Sequence, residues 1–298
     1  MSLVSGLVKR LLRRQFSGWS QGSIEEQRAR QERSTRLMRL PAGVKCRNVL
    51  ANGVAAEWVE GPAAGAGVIL YLHGGAYVLG SVDGHREWIA RLAKATGTRA
   101  LAINYRLAPE HPFPCALEDT LAAYRWLLDQ GVRSSDIVLA GDSAGGGLAV
   151  AALLALRDAG EHLPAGAVCI SPWADLTLSG ASVQSQAELD PILDPDSLRM
   201  YARCYAADQP LATPLLSPVF ADMTGLPPLL IQVGTDEILL DDAIRLAERA
   251  RIAGVDVTLQ VWAEMFHVFQ LISFLPETRQ AVNAIAEFCA RLFSPPQS

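Results

Sequence analysis

From residue 44 onward, short apolar runs alternate with segments whose apolar positions recur every three to four residues, so strand and helix periods take turns along the chain. The strand period reads at 44–49 and 54–59, a hairpin turned at Asn52-Gly53, and again at 68–72, 99–105, 136–140, 166–170, 229–233 and 255–262. The helix period reads at 86–96, 114–130, from 147 through 154, at 239–253, and in a last stretch ending near Phe293. Gly97, Gly131 and Gly254 stand where three of these helices stop. Repeated strand and helix units of this kind predict an α/β fold, with a mostly parallel central sheet and helices on both faces. In such sheets, function gathers at the carboxyl ends of the strands.

Two stretches stand outside the alternation. At the N-terminus, Leu3, Val4, Leu7, Val8, Leu11 and Leu12 recur at helical spacing opposite Lys9, Arg10, Arg13 and Arg14. The simpler reading packs this apolar side onto its own domain; the other lays the basic helix on a membrane surface. A second helix is predicted from Ser23, where Ser23 and Glu26 fit a capping box, to about Leu40 before Pro41. Between 171 and 228 the long helical pattern covers 194–206, among Pro191, Pro210, Pro214 and Pro218. The chain therefore divides into N-terminal cap helices over 1–40 and a catalytic α/β domain over 41–298, with 171–225 contributing to a cap over the strand ends.

A chain of 298 residues with 50% hydrophobic and 19% charged positions is long enough for one large domain with a substantial core. Its formal charge of -5 gives no general attraction to nucleic acid. Cys46, Cys115, Cys169, Cys204 and Cys289 are odd in number, scattered and without a C-x-x-C pair. That argues against a disulfide framework or a zinc site and for a reducing compartment. No apolar run approaches the roughly 20 residues that span a bilayer, and the basic N-terminus lacks the uninterrupted core and cleavage site of a signal peptide. The expectation is a cytoplasmic protein without integral membrane association. In the last helix, Ala284, Ile285, Phe288, Leu292 and Phe293 either pack on their own domain or contribute to a homodimer.

Candidate chemistry begins at Gly141-Asp142-Ser143-Ala144-Gly145-Gly146, between a strand and a helix. Glycines two positions before and after Ser143 permit a sharp turn that exposes its hydroxyl, with the helix N-terminus pointing at it. A serine nucleophile needs a base. His85, His111 and His162 have simpler places, at a helix start, in a Pro-rich turn and after a helix, whereas His267 falls in the loop after the last strand, at the same sheet edge as Ser143. The base in turn needs a carboxylate, and the loop after strand 229–233 offers two neighbours, Asp236 and Glu237. Whichever is unused suits the N-terminus of the next helix. His73-Gly74-Gly75-Ala76-Tyr77 follows strand 68–72, and the N–H groups of Gly74, Gly75 and Ala144 are candidates for an oxyanion hole. The loop lacks the lysine and the glycine spacing of a phosphate cradle, so no cofactor is implied. His73 orients this loop rather than exchanging protons.

These motifs resemble the hormone-sensitive-lipase-like carboxylesterases, of bacterial family IV type, within the α/β-hydrolase fold. The resemblance rests on His73-Gly74-Gly75-Ala76, on the run from Asn104-Tyr105-Arg106 to Phe113-Pro114, on the serine turn, on Leu226-Pro227-Pro228, on the acidic run and on His267. It covers nearly the whole chain after about residue 40. It implies a helical cap, no cofactor, and hydrolysis of small, usually short-chain, carboxylic esters through an acyl-enzyme. It also bears on the acid. The family usually reads Asp-Pro-Leu-x-Asp, its aspartate standing ninth after the second proline of Leu-Pro-Pro; counting nine from Pro228 reaches Glu237, with Asp241 on the second aspartate. The resemblance thus implies Glu237, with Asp236 as runner-up. Glutamate at that position, Ala76 where many members have a third glycine, and Glu264 where glycine is common are departures from the pattern. Amide hydrolysis and acyl transfer use the same machinery, and receptor-like binding proteins on this fold have the histidine replaced, which His267 argues against.

Overall fold

The computed structural model describes residues 3–16, 18, 21–35, 40–61, 64, 65 and 67–293. In chain order it contains α1 (Leu3–Phe16), α2 (Ile24–Thr35), β1 (Lys45–Ala51), β2 (Val54–Glu60), β3 (Val68–Leu72), α3 (Val82–Thr96), β4 (Arg99–Ile103) and α4 (Cys115–Asp129). There follow β5 (Ile137–Asp142), α5 (Ala144–Asp158), β6 (Gly166–Ile170), α6 (Ser182–Ser185), α7 (Pro195–Ala206), β7 (Leu229–Gly234), α8 (Leu240–Ile252), β8 (Val257–Trp262) and α9 (Pro276–Phe293). The expected end of the second helix, at 36–39, lies outside the described residues.

Eight strands form one sheet in the order β1-β2-β4-β3-β5-β6-β7-β8. β2 runs antiparallel to both β1 and β4, and the remaining neighbours are parallel. From β3 the chain goes to one side to form β4, then returns past β3 to form β5 on the other side. That reversal of winding opens a crevice at the carboxyl ends of β3 and β5. The glycine loop follows β3 and Ser143 follows β5, so topology brings these two motifs together.

Alternate side chains along the central strands serve opposite layers. Leu70, Leu139 and Cys169 meet the layer containing Leu117 of α4, Leu148 of α5 and Leu246 of α8. Ile69, Val138 and Val168 meet Ile89 of α3 and Ile285 and Phe288 of α9. β3, β5, β6 and β7 are buried along their whole length, which is why the sequence shows them as largely apolar runs, with Gln232 in β7 and Asp142 at the end of β5 as buried polar exceptions. Ile285 and Phe288, raised above as a possible dimer contact, are buried within this domain.

Local chemistry moves some boundaries. α3 starts at Val82 rather than 86 because Ser81 caps it, its Oγ accepting the N–H of Gly84 at 3.2 Å. β4 stops at Ile103 rather than 105: Asn104 turns its Oδ1 to the N–H of Val82 at 2.8 Å, and Tyr105 donates its hydroxyl to the carbonyl of His73 at 2.7 Å. β8 starts at Val257 because the N–H of Val255 closes the end of α8 onto the carbonyl of Ala250 at 3.0 Å.

The N-terminal helices lie against the strand ends. Val8 and Leu12 of α1 are buried with Met265, Phe266 and Phe269, while Leu7 and Leu11 stay 60% and 55% exposed, so only one edge of the apolar face packs on the domain. Arg13 donates to the carbonyls of Glu188 and Leu189 at 2.6 and 3.0 Å, joining α1 to the segment between β6 and β7. α2 opens on the expected capping box, Glu26 N–H to Ser23 Oγ at 3.2 Å and Ser23 N–H to Glu26 Oε2 at 2.9 Å. Its Arg28 reaches the carbonyls of Val78 and Ala108 at 2.9 and 2.8 Å, beside the glycine loop. Among the described residues, no helix is long and apolar enough to cross a membrane.

Candidate active site

Ser143 stands between β5 and α5 with φ 55° and ψ -121°, a backbone state that L side chains rarely adopt. Tight packing enforces it. A Cβ added to Gly141 would lie 2.3 Å from the carbonyl oxygen of Gly145, and one added to Gly145 would lie 2.0 Å from that of Leu72. Hydrogen bonds complete the turn: Ser143 N–H donates to the Ile170 carbonyl at 2.8 Å, and the Ser143 carbonyl accepts the N–H of Trp173 at 2.9 Å. Gly145→Ala is therefore expected to destabilise the protein by about 1–3 kcal/mol or more through overpacking against backbone. A lowered urea midpoint checks this; an unchanged midpoint would mean that the turn has room the structure does not show.

His267 follows β8, and its Nδ1 lies 2.9 Å from Oε2 of Glu237, which follows β7. The other oxygen, Oε1, accepts the hydroxyl of Ser171 at 2.8 Å and the N–H of Gly234 at 2.6 Å. A carboxylate with no exposed surface is thus fully partnered. Ser171, the first residue past β6, also accepts the N–H of Val268 at 3.2 Å, tying together the loops that carry Glu237 and His267. Burial works against the charged form of His267. The hydrogen bond and charge of Glu237, joined by the charges of Asp190 and Asp142, nevertheless raise its pKa above the usual histidine value.

Asp236 faces the other way. Its Oδ2 meets Nζ of Lys9 at 2.5 Å, with the two side chains only 17% and 11% exposed. Neighbouring carboxylates on one loop therefore divide: Glu237 points inward to His267, and Asp236 points outward to α1.

After β3, Gly75, Ala76 and Tyr77 take φ values of 125°, 55° and 62°, which roll the peptide planes over at the loop. The N–H of Gly74 donates to Oδ1 of Asp142 at 3.0 Å. This corrects the expected donor trio: Gly74 is engaged in holding the loop to the serine turn and does not stand free beside Gly75 and Ala144. Among the described residues, the N–H groups of Gly75, Ala76 and Ala144 have no acceptor. Ala76, the position where many members have a third glycine, adopts the positive φ that glycine would favour.

A family model described as alpha/beta hydrolase fold matches residues 69–271. An acetyl-hydrolase of Streptomyces hygroscopicus is 52% identical over 78% of each chain, and an esterase of Acinetobacter venetianus is 39% identical over 84% of this chain and 83% of its own. A solved esterase described as from the bacterial hormone-sensitive lipase family shares 44% identity, covers 99% of both chains and has a TM-score of 0.95. The chain belongs to the bacterial hormone-sensitive lipase family of α/β hydrolases.

Behind the serine turn of this hydrolase lies a buried polar network that sequence reading missed, although its centre, Asp142, sits inside the motif. Besides Gly74, Asp142 accepts the hydroxyl of Tyr71 at 2.5 Å and pairs with Nε2 of His85 at 3.3 Å. Burial disfavours charge on both partners, but their mutual attraction raises the pKa of His85 and lowers that of Asp142. His73 stacks on Tyr105 with ring centroids 4.2 Å apart, and its Nδ1 lies 2.8 Å from the carbonyl of Gly74. Burial, reinforced by the neighbouring His85, pushes His73 down to about 3. It is neutral at ordinary pH, and these contacts hold its ring against the glycine loop.

Two further groups at the site carry no motif. Ser171 is one; the second is Asp190, a buried carboxylate before α7 whose Oδ2 accepts the N–H of Ile238 at 3.0 Å. Among the described residues, no group of three or more His, Cys, Asp or Glu side chains is arranged to hold a metal ion, and the five cysteines are free thiols.

Proposed function

We propose that this hydrolase is a serine carboxylesterase that cleaves short-chain carboxylic esters. The observation that carries the reading is the Glu237 and His267 pair, 2.9 Å apart at the strand ends that also present Ser143 on its strained turn. Ser143 Oγ attacks the acyl carbon while Nε2 of His267 takes its proton, and the carbonyl electron pair moves onto oxygen. That oxyanion meets the unpaired N–H groups of Gly75, Ala76 and Ala144, the last at the positive end of α5. His267 then gives the proton to the alcohol oxygen as the C–O bond breaks, leaving an acyl-serine. Water repeats the sequence and releases the acid. Glu237 keeps the proton of neutral His267 on Nδ1 and balances the imidazolium when it forms.

In this reading α1, α2 and the 171–225 segment form the cap. The contacts of Lys9, Arg13 and Arg28 with the strand-end loops support it. Support for short acyl groups comes from the buried rings packed around the first turn of α5, next to Ser143. Tyr77 stacks on Tyr205 at 3.8 Å, Trp173 lies 6.1 Å from Tyr77, and even a Cβ on Gly147 would come within 2.1 Å of the Trp173 carbonyl oxygen. The relative called an acetyl-hydrolase points the same way.

A p-nitrophenyl ester series tests substrate class: kcat/KM is expected to be highest for acetyl to butyryl esters and to fall with longer chains. A preference for long acyl groups sinks the short-chain reading. Labelling of Ser143 by a fluorophosphonate, located by peptide mass spectrometry, is expected as well.

The raised pKa of His267 sets a pH expectation. The base works only when neutral, so kcat/KM falls as pH drops through that pKa, and the fall is centred above the usual value of 6.5. A pH profile of kcat/KM centred below 6.5 would contradict the charge arrangement around the imidazole.

A further inference from the structure

Asp190 is a carboxylate that the reaction as written does not use. It belongs to the segment between β6 and β7, far from either acid candidate in sequence, yet it is only 6% exposed and fully partnered. Oδ1 accepts the N–H groups of Ile192 and Leu193 at 2.9 and 3.0 Å, which folds its own loop tightly around it. Oδ2 accepts the N–H of Ile238 at 3.0 Å, the peptide that joins Glu237 to the next residue. One side chain from the covering segment is therefore bolted to the backbone of the acid loop.

We propose that Asp190 is a positioning residue for the Glu237 and His267 pair, holding the acid loop by the Ile238 N–H and presenting a second negative charge to the imidazole. The proposal rests on the serine-esterase reading above. Its physical basis is that catalysis here depends on a buried base oriented by one carboxylate. A shift of the Ile238 peptide moves Glu237 directly, because the two groups share that peptide unit. The second charge stabilises the imidazolium that forms when His267 takes the serine proton.

The groups around Asp190 support this. From its own loop come the N–H groups of Ile192 and Leu193; from the acid loop, Ile238 N–H and the charge of Glu237; from the loop after β8, His267. From α1, Arg13 is occupied by the carbonyls of Glu188 and Leu189, and Lys9 by Asp236, so neither is engaged with Asp190. Burial pushes the Asp190 carboxyl up to about 6, the charge of Glu237 adding to it and His267 with the loop N–H groups opposing it. As pH falls through that region, protonation weakens the grip on Ile238 and removes charge from beside His267.

Asp190→Asn is the test. An asparagine cannot satisfy all three N–H donors, because one of its two ends is itself a donor. The expected result is a drop in kcat of about tenfold, the size of one lost hydrogen bond to an ionised acceptor. KM for p-nitrophenyl acetate should stay within about twofold, and the acid limb of kcat/KM should move down by about half a pH unit as the imidazolium loses a neighbouring charge. Rates are normalised to sites titrated with a fluorophosphonate, so that a smaller folded fraction is not read as slower chemistry. An unmoved acid limb, or a kcat per titrated site equal to that of the parent, overturns the proposal. If Asp190→Asn fails to fold, Asp190→Ser, smaller and able to accept the Ile238 N–H through water, is read by the same two criteria. Ser143→Ala in the same series separates the two levels. If it still hydrolyses the ester, the esterase mechanism itself fails; if it is inactive while Asp190→Asn matches the parent profile, only the role given to Asp190 fails.

Discussion

Ser143→Ala is expected to lower kcat/KM for p-nitrophenyl acetate by a factor on the order of 10⁴ or more, with little loss of stability. The asymmetry follows from how the serine is held. Its backbone N–H and carbonyl are bonded to Ile170 and Trp173, and these contacts survive the substitution. Its hydroxyl has no hydrogen-bond partner among the described residues, so removing it leaves no buried group unpaired. Alanine meets the same backbone strain at φ 55° as serine does, and Gly141 and Gly145 still permit the turn. Initial rates and a urea midpoint measured on one preparation check both halves. A variant that keeps a per cent or more of the parent rate with an unchanged midpoint would remove Ser143 from the reaction.

Glu237→Gln should be nearly as damaging, with kcat reduced by about 10⁴, the scale seen when a triad acid becomes an amide. The amide keeps the shape but loses the charge, and it turns a donor toward one of its partners. Those partners are Nδ1 of His267, the hydroxyl of Ser171 and the N–H of Gly234. The adjacent Asp236→Asn should behave differently. It breaks a largely buried ion pair with Lys9, so its effect is on how firmly α1 is held, at a cost of up to about 3–5 kcal/mol. Its kcat is expected to stay within about tenfold of the parent. Steady-state kinetics on both variants, with limited proteolysis at the N-terminus as a readout of α1, separates the roles. A larger kcat loss in the Asp236 variant would transfer the role of acid to that residue.

The central strands were legible because burial on both faces makes β3, β5, β6 and β7 mostly apolar, the buried Gln232 in β7 and Asp142 at the end of β5 being the polar exceptions. Helix limits were legible where two residues signal together, as with the Ser23 and Glu26 capping box, and less so where a lone serine caps the helix, as with Ser81 ahead of α3. The serine turn was legible for a steric reason, since both flanking glycines face backbone that a Cβ would strike. The glycine loop after β3 was only half legible. Its glycines marked the bend, but nothing local revealed that Asp142 would take the N–H of Gly74, because that carboxylate arrives from the neighbouring strand.

By itself the sequence determined the order of strands and helices, the sharp turn that carries Ser143, and the loops that deliver His267 and an acidic pair to one edge of the sheet. Those features depend on local sterics and on burial period, which neighbouring residues encode. The motif spacing already pointed to Glu237; the tertiary structure added that Glu237 meets His267 while Asp236 turns to Lys9, that the N–H of Gly74 is engaged, and that Asp190 bonds the N–H of Ile238. Each of those outcomes depends on a partner distant in the chain: Lys9 draws Asp236 away across 227 positions, and Asp190 reaches Ile238 across 48. A carboxylate has the same intrinsic chemistry in either orientation, so its role is set by whichever donor the fold brings to it.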